Sequence, residues 1–424
     1  MAASAPTAST IPATIPTTAP SPFQKQSGAQ LETLETTSTT QSASASATNV
    51  ETRTDLSPLY RLVHALIRPL RPKLVSFDKT WPEGSARLPK RPSSHYGVKI
   101  SERRIQVPST PQLLLPQADP ATNTQNLWMY DFQARRSESD VDREGAKTET
   151  SKTIYYFAGG GFQAPASGEH WKLCARLAKN LASDGVRIVM VSYPLSPKSP
   201  AKDSLPLLRA WLQLELKNAH ENGRGDGGII LMGDSAGGNI VVSLAFWWAE
   251  HLASLKRELE GRDLQVERAK AAELETMQAL RSVIVMSPPF DFRNINEEIA
   301  GADKKDPVLT KDLTNGAATA WVKDWPSADG KDPKADPTLS PNLQTAEAWA
   351  ALRESRLTVH GLFGTADVLS PDCKVFMQRC QKESIRGDWL VWEGQMHCFP
   401  LTQCYMVPEG KEGVNWLCRR VRES

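Results

Sequence analysis

The chain has 424 residues, of which 40% are hydrophobic and 23% are charged, and its 50 basic residues nearly balance 48 acidic ones. This composition is typical of a soluble globular protein with a sizeable core, and it excludes the strong positive field of a dedicated nucleic-acid binder. The sequence contains no run of 18 apolar residues, so we expect no transmembrane helix.

The first region, residues 1–50, has 34 Ser, Thr, Ala or Pro residues. Such a segment cannot bury enough apolar surface to offset the entropy of ordering, so we predict a disordered tail. It lacks the basic start and apolar block of a secretory signal, and it lacks the arginines of a transit peptide. The six cysteines have no metal-finger spacing, and we expect free thiols in a cytoplasmic protein.

The second region, residues 51–125, is interpreted as an N-terminal cap and linker. Apolar residues between 59 and 67 fall on one face of a predicted helix, with basic residues around them. A helix packed on the core is the favoured interpretation. A helix that touches a lipid surface, or that roofs a site, is the alternative. Residues 80–125 are rich in Pro, Ser and Arg, and we expect them to be irregular.

The third region, residues 126–424, alternates strand-like apolar runs with amphipathic segments. The predicted strands are 127–132, 153–157, 187–192, 228–232, 282–286, 357–363 and 389–392, and the predicted helices are 171–184, 204–218, 239–259 and 371–383. This alternation predicts an α/β fold whose sheet is mostly parallel and doubly wound. Strands covered on both faces explain the continuous apolar runs.

Two segments of this region read as helical insertions. Residues 254–281 carry six basic and six acidic side chains, which is typical of a solvated helical extension. An arm that binds a partner is the alternative. Residues 293–350 are rich in Asp, Pro, Gly and Lys, and we expect loops and a short helical insertion over the sheet.

Residues 231–238, Leu-Met-Gly-Asp-Ser-Ala-Gly-Gly, carry the first chemical signal. Gly233-x-Ser235-x-Gly237 follows a predicted strand and precedes a predicted helix, which is the context of a nucleophile elbow. A plain glycine-rich turn is the alternative. Upstream, three consecutive glycines, 159–161, also follow a predicted strand. Their N–H groups can face one point, as an oxyanion hole requires.

A base and an orienting carboxylate should follow the serine in the order Ser, Asp or Glu, His. Of the histidines after Ser235, His251 lies within the predicted helix 239–259, and only His360 and His397 follow that helix. His360 lies inside an apolar run and is interpreted as a core residue, whereas His397 follows a predicted strand. Asp367 follows the strand before it and is the predicted carboxylate. Its nearest competitor is Asp372, which we interpret as an acidic residue at a helix start.

These motifs resemble the hormone-sensitive-lipase-like branch of the α/β-hydrolase superfamily, the α/β-hydrolase fold-3 esterases. The resemblance covers roughly residues 126–420. The matching segments are Gly-Asp-Ser-Ala-Gly-Gly at 233–238, Ser-Pro-Pro-Phe-Asp at 287–291, Asp-Pro-Thr-Leu-Ser-Pro at 336–341, Asp-Val-Leu at 367–369 and His-Cys-Phe at 397–399.

The resemblance implies an α/β-hydrolase fold with a helical cap, formed by residues 51–110 with residues 293–350. It implies hydrolysis of carboxylic esters with short to medium acyl chains and no metal or organic cofactor. The implied catalytic residues are Ser235 as nucleophile, His397 as base and Asp367 as its partner, and the implied oxyanion hole comprises Gly160, Gly161 and Ala236.

One residue departs from the family pattern His-Gly-Gly-Gly, because Ala158 replaces the histidine. We expect this change to affect the bracing of the oxyanion loop, with the Tyr155–Tyr156 pair supplying different support. Hydrolysis of an amide, carbamate or lactone would use the same triad. A non-catalytic small-molecule receptor on this fold is a further alternative. The predicted partner is a small-molecule ester substrate, and no nucleic acid is expected.

Overall fold

The computed structural model describes residues 47–77, 79–88, 94–108, 124–134, 152–221, 228–259, 264–327 and 330–424. Ten strands within these ranges form one twisted layer. They are β1 (Thr48–Arg53), β2 (Ser94–His95), β3 (Val98–Pro108), β4 (Thr124–Ala134), β5 (Lys152–Phe157), β6 (Val186–Ser192), β7 (Ile229–Asp234), β8 (Leu280–Met286), β9 (Thr358–Ala366) and β10 (Gly387–Met396).

The strand order is β1-β10-β9-β8-β7-β5-β6-β4-β3-β2. All neighbours from β1 to β6 are parallel, and β4, β3 and β2 pair antiparallel at the other edge. The predicted mostly parallel sheet is therefore confirmed. Because the carboxyl ends of β5, β7, β9 and β10 meet at one edge, residues that follow these strands lie near one another.

Helices cover both faces of the sheet. They are α1 (Pro58–Ile67), α2 (Arg71–Leu74), α3 (Gly168–Asn180), α4 (Ala201–Glu221), α5 (Ser235–Leu259), α6 (Leu264–Met277), α7 (Ile299–Asp303), α8 (Lys311–Trp321), α9 (Ala346–Glu354), α10 (Ser370–Lys382) and α11 (Pro408–Glu423). Short 3₁₀ turns occupy Arg68–Leu70, Pro333–Ala335, Pro341–Leu343 and Phe399–Tyr405.

The central strands contribute to two separate cores. On β5, Tyr155 and Phe157 pack into the core under α4, α5, α9 and α10, whereas Ile154 and Tyr156 pack into the core under α3 and α11. Alternate residues of a strand point to opposite faces, so a strand buried on both faces must be apolar throughout. This is the physical basis of the seven apolar runs predicted as strands, and all seven are strands in the structure.

The N-terminal boundaries predicted from composition are wrong in two places. Thr48–Arg53 is an edge strand paired with β10, so the last residues of the predicted 1–50 tail belong to the folded body. Val98–Pro108, expected to be irregular within the 51–125 cap and linker, is an eleven-residue strand paired with β4. The sheet therefore begins well before residue 126. Both strands are rich in charged residues and buried on one side only, so they lack an apolar run.

The remainder of the predicted tail, residues 1–46, lies outside the described residues. The charged extension predicted at residues 254–281 contains the end of α5, which continues to Leu259, and all of α6. Met277, the last residue of α6, packs into the core. Helices α7 and α8 lie in the 293–350 segment, and α9 begins within it. All six cysteines are free, and no helix in the described ranges is long and apolar enough to cross a lipid bilayer.

Candidate active site

Ser235 lies at a sharp turn between β7 and α5. Its φ is +49°, a left-handed conformation that non-glycine residues rarely adopt and that marks strained functional turns. The turn needs glycine on both sides of the serine. A Cβ atom on Gly233 would lie 2.6 Å from the Gly237 carbonyl carbon, and one on Gly237 would lie 2.0 Å from the Phe157 carbonyl oxygen. The G-x-S-x-G spacing is thus required by close backbone packing.

His397 and Asp367 are brought together by the neighbouring strands β10 and β9. His397 Nδ1 lies 2.8 Å from Asp367 Oδ2, and Asp367 Oδ1 accepts a 2.9 Å hydrogen bond from the Leu369 N–H. Burial lowers the pKa of the His397 imidazole, but the charge and the hydrogen bond of Asp367 outweigh burial, and the pKa is raised above its ordinary value. The buried carboxylate therefore orients and stabilises a protonated imidazole.

Ser235 Oγ has no hydrogen-bond partner among the described residues. His397 Nε2 lies instead 3.3 Å from the sulfur of Cys398, and Ser235, His397 and Cys398 line one cavity. Such catalytic hydrogen bonds are often absent without substrate and form in the Michaelis complex. Burial, aided by nearby carboxylates, raises the pKa of Cys398 well above its ordinary value, so this neighbour is a neutral thiol.

The predicted oxyanion residues line the same cavity as Ser235. Gly160 and Gly161 have φ values of +135° and +58°, which favour glycine strongly. Across the described part of the chain, their N–H groups have no protein acceptor. Ala236 lies in the first turn of α5, where backbone N–H groups also lack intrahelical partners. Three backbone donors thus border the space beside Ser235.

A buried network, which we call the Asp234 brace, supports the glycine loop at residues 159–161. Asp234 Oδ1 accepts hydrogen bonds from the Gly159 N–H at 3.0 Å and from the Tyr156 hydroxyl at 2.5 Å. His170 Nε2 lies 3.0 Å from Asp234 Oδ2. Burial would raise the pKa of Asp234, but the charge and the hydrogen bond of His170, together with the other donors, lower it. The loop is thus held by Asp234, and the side chain of Ala158 needs no polar partner.

Of the tyrosine pair expected to support this loop, only Tyr156 belongs to the Asp234 brace. The Tyr155 hydroxyl donates to buried Glu215 on the other face of the sheet. The contact of His170 with Asp234 was not predicted from the sequence. Its only local signal is the Ser167-x-x-His170 spacing at the start of α3, where Ser167 Oγ lies 2.9 Å from His170 Nδ1.

A second buried carboxylate near Asp367 was also not predicted from the sequence. Asp306 is fully buried and accepts hydrogen bonds from the N–H groups of Val308, Leu309 and Val368 at 2.7, 2.9 and 2.8 Å. Val368 directly follows Asp367, so Asp306 joins the 293–350 segment to the loop that carries Asp367. Burial, and repulsion from Asp367, raise the pKa of Asp306 to about 6.

The two competing sequence candidates lie elsewhere. His360 is buried within β9, its Nδ1 accepts a 3.0 Å hydrogen bond from the Asp388 N–H, and burial lowers its pKa to about 4. Asp372 lies in the first turn of α10 and accepts a hydrogen bond from Asn296, and burial raises its pKa to about 6. Neither lines the cavity.

The cavity above Ser235 has a volume of about 710 Å³ and a mostly apolar wall. Residues from α1 and the segment after it form one part of this wall, and residues 308–318 form another. These apolar lining residues are Val63, Ile67, Leu74, Val75, Phe77, Val308, Leu309, Leu313, Ala317 and Ala318. Trp321 does not line the cavity but stacks on Phe162, which does, with ring centroids 4.4 Å apart.

Comparisons with known proteins agree with the fold. No curated protein matches the sequence. The structure is similar to carboxyl esterase 2 from the mycorrhizal fungus Tuber melanosporum, with a TM-score of 0.59, 18% identity and coverage of 87% of this chain and 99% of that one. It is also similar to an esterase/lipase from an uncultured bacterium, with a TM-score of 0.55, 15% identity and coverage of 87% and 98%.

A third similar structure is an esterase from the bacterial hormone-sensitive lipase family, with a TM-score of 0.54, 17% identity and coverage of 87% of this chain and 99% of that one. At such identities these likenesses concern the fold. The sequence profile of a family described as the alpha/beta hydrolase fold matches residues 154–401, which is more than half of the chain. The chain therefore belongs to this alpha/beta hydrolase family.

Proposed function

We propose that this hydrolase cleaves carboxylic esters through a Ser235–His397–Asp367 triad and a covalent acyl-enzyme. The observation that carries the proposal is the 2.8 Å contact between His397 Nδ1 and buried Asp367, at the strand ends beside the strained Ser235 turn. A histidine braced by a carboxylate next to a serine in a nucleophile elbow is the arrangement that acyl transfer requires.

In the acylation step, His397 Nε2 accepts the hydroxyl proton of Ser235 as the serine oxygen attacks the ester carbonyl carbon. The carbonyl π electrons move to the oxygen, and the resulting oxyanion accepts hydrogen bonds from the N–H groups of Gly160, Gly161 and Ala236. When the tetrahedral intermediate collapses, the bond to the alcohol oxygen breaks. The proton held by His397 passes to that oxygen, and the alcohol leaves.

In the deacylation step, a water molecule attacks the acyl carbon of the Ser235 ester. His397 accepts a proton from this water and returns it to the Ser235 oxygen as the acid is released. Asp367 keeps the Nδ1 proton directed towards itself in both steps, so Nε2 faces the reacting groups. Asp306 acts as a positioning residue, because its hydrogen bond to the Val368 N–H fixes the loop that carries Asp367.

The substrate proposed for the cavity is an ester with a short to medium acyl chain. A volume of about 710 Å³ with a mostly apolar wall has room for such a chain. We further propose that residues 56–77 and 299–321 act together as the cap over this cavity. The cytoplasmic location expected from the sequence stays a prediction, as does the absence of a cofactor.

The test is hydrolysis of p-nitrophenyl esters from acetyl to palmitoyl by the wild-type protein and two serine variants. Ser235→Ala should lose turnover. Ser243→Ala is the matched control, since Ser243 lies two turns further along α5 and bonds to the Thr338 carbonyl outside the cavity. Unimpaired turnover in Ser235→Ala would contradict the mechanism. A folded wild-type protein without turnover on esters, amides, carbamates or lactones would favour a receptor instead.

A further inference from the structure

The helix over the cavity exposes an unusual number of leucines. The described residues include ten exposed large hydrophobic side chains, and five of these lie between positions 59 and 74. We call these five the leucine stripe: Leu59, Leu62, Leu66, Leu70 and Leu74, with exposed fractions of 41%, 56%, 62%, 53% and 41%. Their spacing of three or four residues places them along one side of the α1–α2 segment. A contiguous exposed apolar row of this kind marks an interaction surface.

The expected packing of this helix on the core is thus wrong for Leu59, Leu62 and Leu66. Val63 and Ile67 are half-buried and pack against the core, while Leu62 and Leu66 face away from it. Helical periodicity cannot separate the buried residues from the exposed ones, because both groups fall on one broad apolar face of the helix.

The charges around the leucine stripe are cationic. Residues 57–75 contain four basic residues and no acidic one. Arg68 Nη2 donates to the Lys304 carbonyl at 2.6 Å, which brings exposed Lys304 and Lys305 to the side of the helix. The nearby carboxylate of Asp303 is paired with Arg71. An apolar row with exposed cations beside it complements a lipid surface with anionic headgroups.

The same segment lines the cavity. Val63, Ile67 and Leu74 border the space above Ser235, and Leu74 also belongs to the leucine stripe. The surface that would meet a lipid layer is therefore continuous with the wall of the site. Exposed Tyr405 lies on the cavity wall as well.

We propose that the leucine stripe docks the protein reversibly on a lipid surface that carries anionic headgroups. The leucines enter the boundary between headgroups and acyl chains, and Arg61, Lys73, Lys304 and Lys305 contact the headgroups. The cavity then opens beside the lipid. The docking does not depend on catalysis; delivery of a lipid-dissolved ester to Ser235 rests on the proposed function.

Vesicle flotation of the full chain tests the docking, with Ser235→Ala as the background so that no lipid is hydrolysed. We expect binding to vesicles of phosphatidylcholine with phosphatidylserine, weaker binding to phosphatidylcholine alone, and a decrease with added salt. The triple variant Leu62→Ser, Leu66→Ser, Leu70→Ser should bind at least about tenfold more weakly, since three apolar side chains no longer enter the lipid. None of the three lines the cavity.

Val375→Ser is the matched control, because Val375 is a 43% exposed apolar residue on α10. It should bind as the parent does. Arg61→Glu with Lys73→Glu should remove the preference for phosphatidylserine and leave binding to phosphatidylcholine nearly unchanged. Thermal unfolding of each variant checks its fold, and Leu66→Ser alone replaces the triple variant if that variant is unfolded.

Three results would overturn the proposal. They are no flotation of the parent protein with phosphatidylserine vesicles, equal flotation of parent and leucine variant, and a dimer that depends on the leucines without any vesicle binding. The last result would assign the leucine stripe to self-association. Flotation without any ester hydrolysis by the wild-type enzyme would leave the docking intact and contradict the proposed function, so the two failures are distinguishable.

Discussion

The floor and the roof of the cavity are built in different ways. The floor consists of strand ends, where a strained serine turn, a buried histidine–carboxylate pair and glycine N–H groups are fixed by the sheet. The roof consists of α1, α2 and residues 299–321, whose apolar side chains line the cavity, and the α1–α2 segment also exposes leucines to solvent. The floor is rigid enough to hold reacting atoms, whereas the roof is suited to admitting apolar groups. Substitutions in the floor should therefore lower kcat. Substitutions in the roof should change KM and the preferred length of the acyl chain.

The largest effect in the floor is expected from Asp367→Asn. An amide cannot stabilise the imidazolium and favours the wrong tautomer of His397, so kcat should fall by about 10⁴-fold. Asp372→Asn is the matched control, because Asp372 is a buried carboxylate five positions away that does not contact His397. Steady-state kinetics on a p-nitrophenyl ester would measure both. Equal losses in the two variants would mean that Asp367 has no special role.

A smaller loss is expected when the Asp234 brace is weakened. Tyr156→Phe removes one donor to Asp234 and loosens the Gly159 loop, so kcat should fall by about 10- to 100-fold with little change in KM. Tyr155→Phe is the control, because that hydroxyl bonds to Glu215 on the other sheet face. If both variants keep full kcat, the oxyanion loop does not need this brace.

The pH dependence of the floor should respond to Asp306→Asn. The base must be neutral to accept a proton, so kcat/KM is lost as pH falls through the pKa of His397, which is raised above its ordinary value. Asp306 contributes to that rise through its negative charge. Removing the charge should lower the pKa of His397 and shift the acid limb of the profile to lower pH. An unmoved acid limb would show that Asp306 has no electrostatic effect on the base.

The smallest effect on turnover is expected in the roof. Ile67→Trp places a larger side chain in the cavity wall, so KM for long acyl esters should rise several-fold while kcat on the acetyl ester stays near wild type. Leu66→Trp, one position away and pointing to solvent, is the control. A profile of chain-length preference that is the same in both variants would mean that α1 does not border the acyl group.

Much of the floor could be predicted from sequence. Strands buried on both faces must be apolar throughout, and the residues that follow them lie at one edge of the sheet, so order and context were enough to predict that Ser235, Asp367 and His397 lie near one another. His170 and Asp306 were not predicted, because their partners Asp234 and Val368 lie more than sixty positions away along the chain. No local spacing encodes such pairs.

The roof and the sheet edges were harder to predict. Strands β1 and β3 bury one side only and alternate with charged residues, which gives no apolar run. Helix α1 shows the reverse problem, since its apolar periodicity is clear but does not say which residues face protein and which face outward.

The central claim is that His397 activates Ser235 as a nucleophile, and covalent labelling tests it most directly. A fluorophosphonate transfers its phosphonyl group to an activated serine oxygen with loss of fluoride. Intact mass and peptide mapping should show one phosphonyl group on Ser235 in the wild-type protein, none in Ser235→Ala, and far slower labelling in His397→Ala. Labelling at another residue, or an equal rate in His397→Ala, would contradict the account.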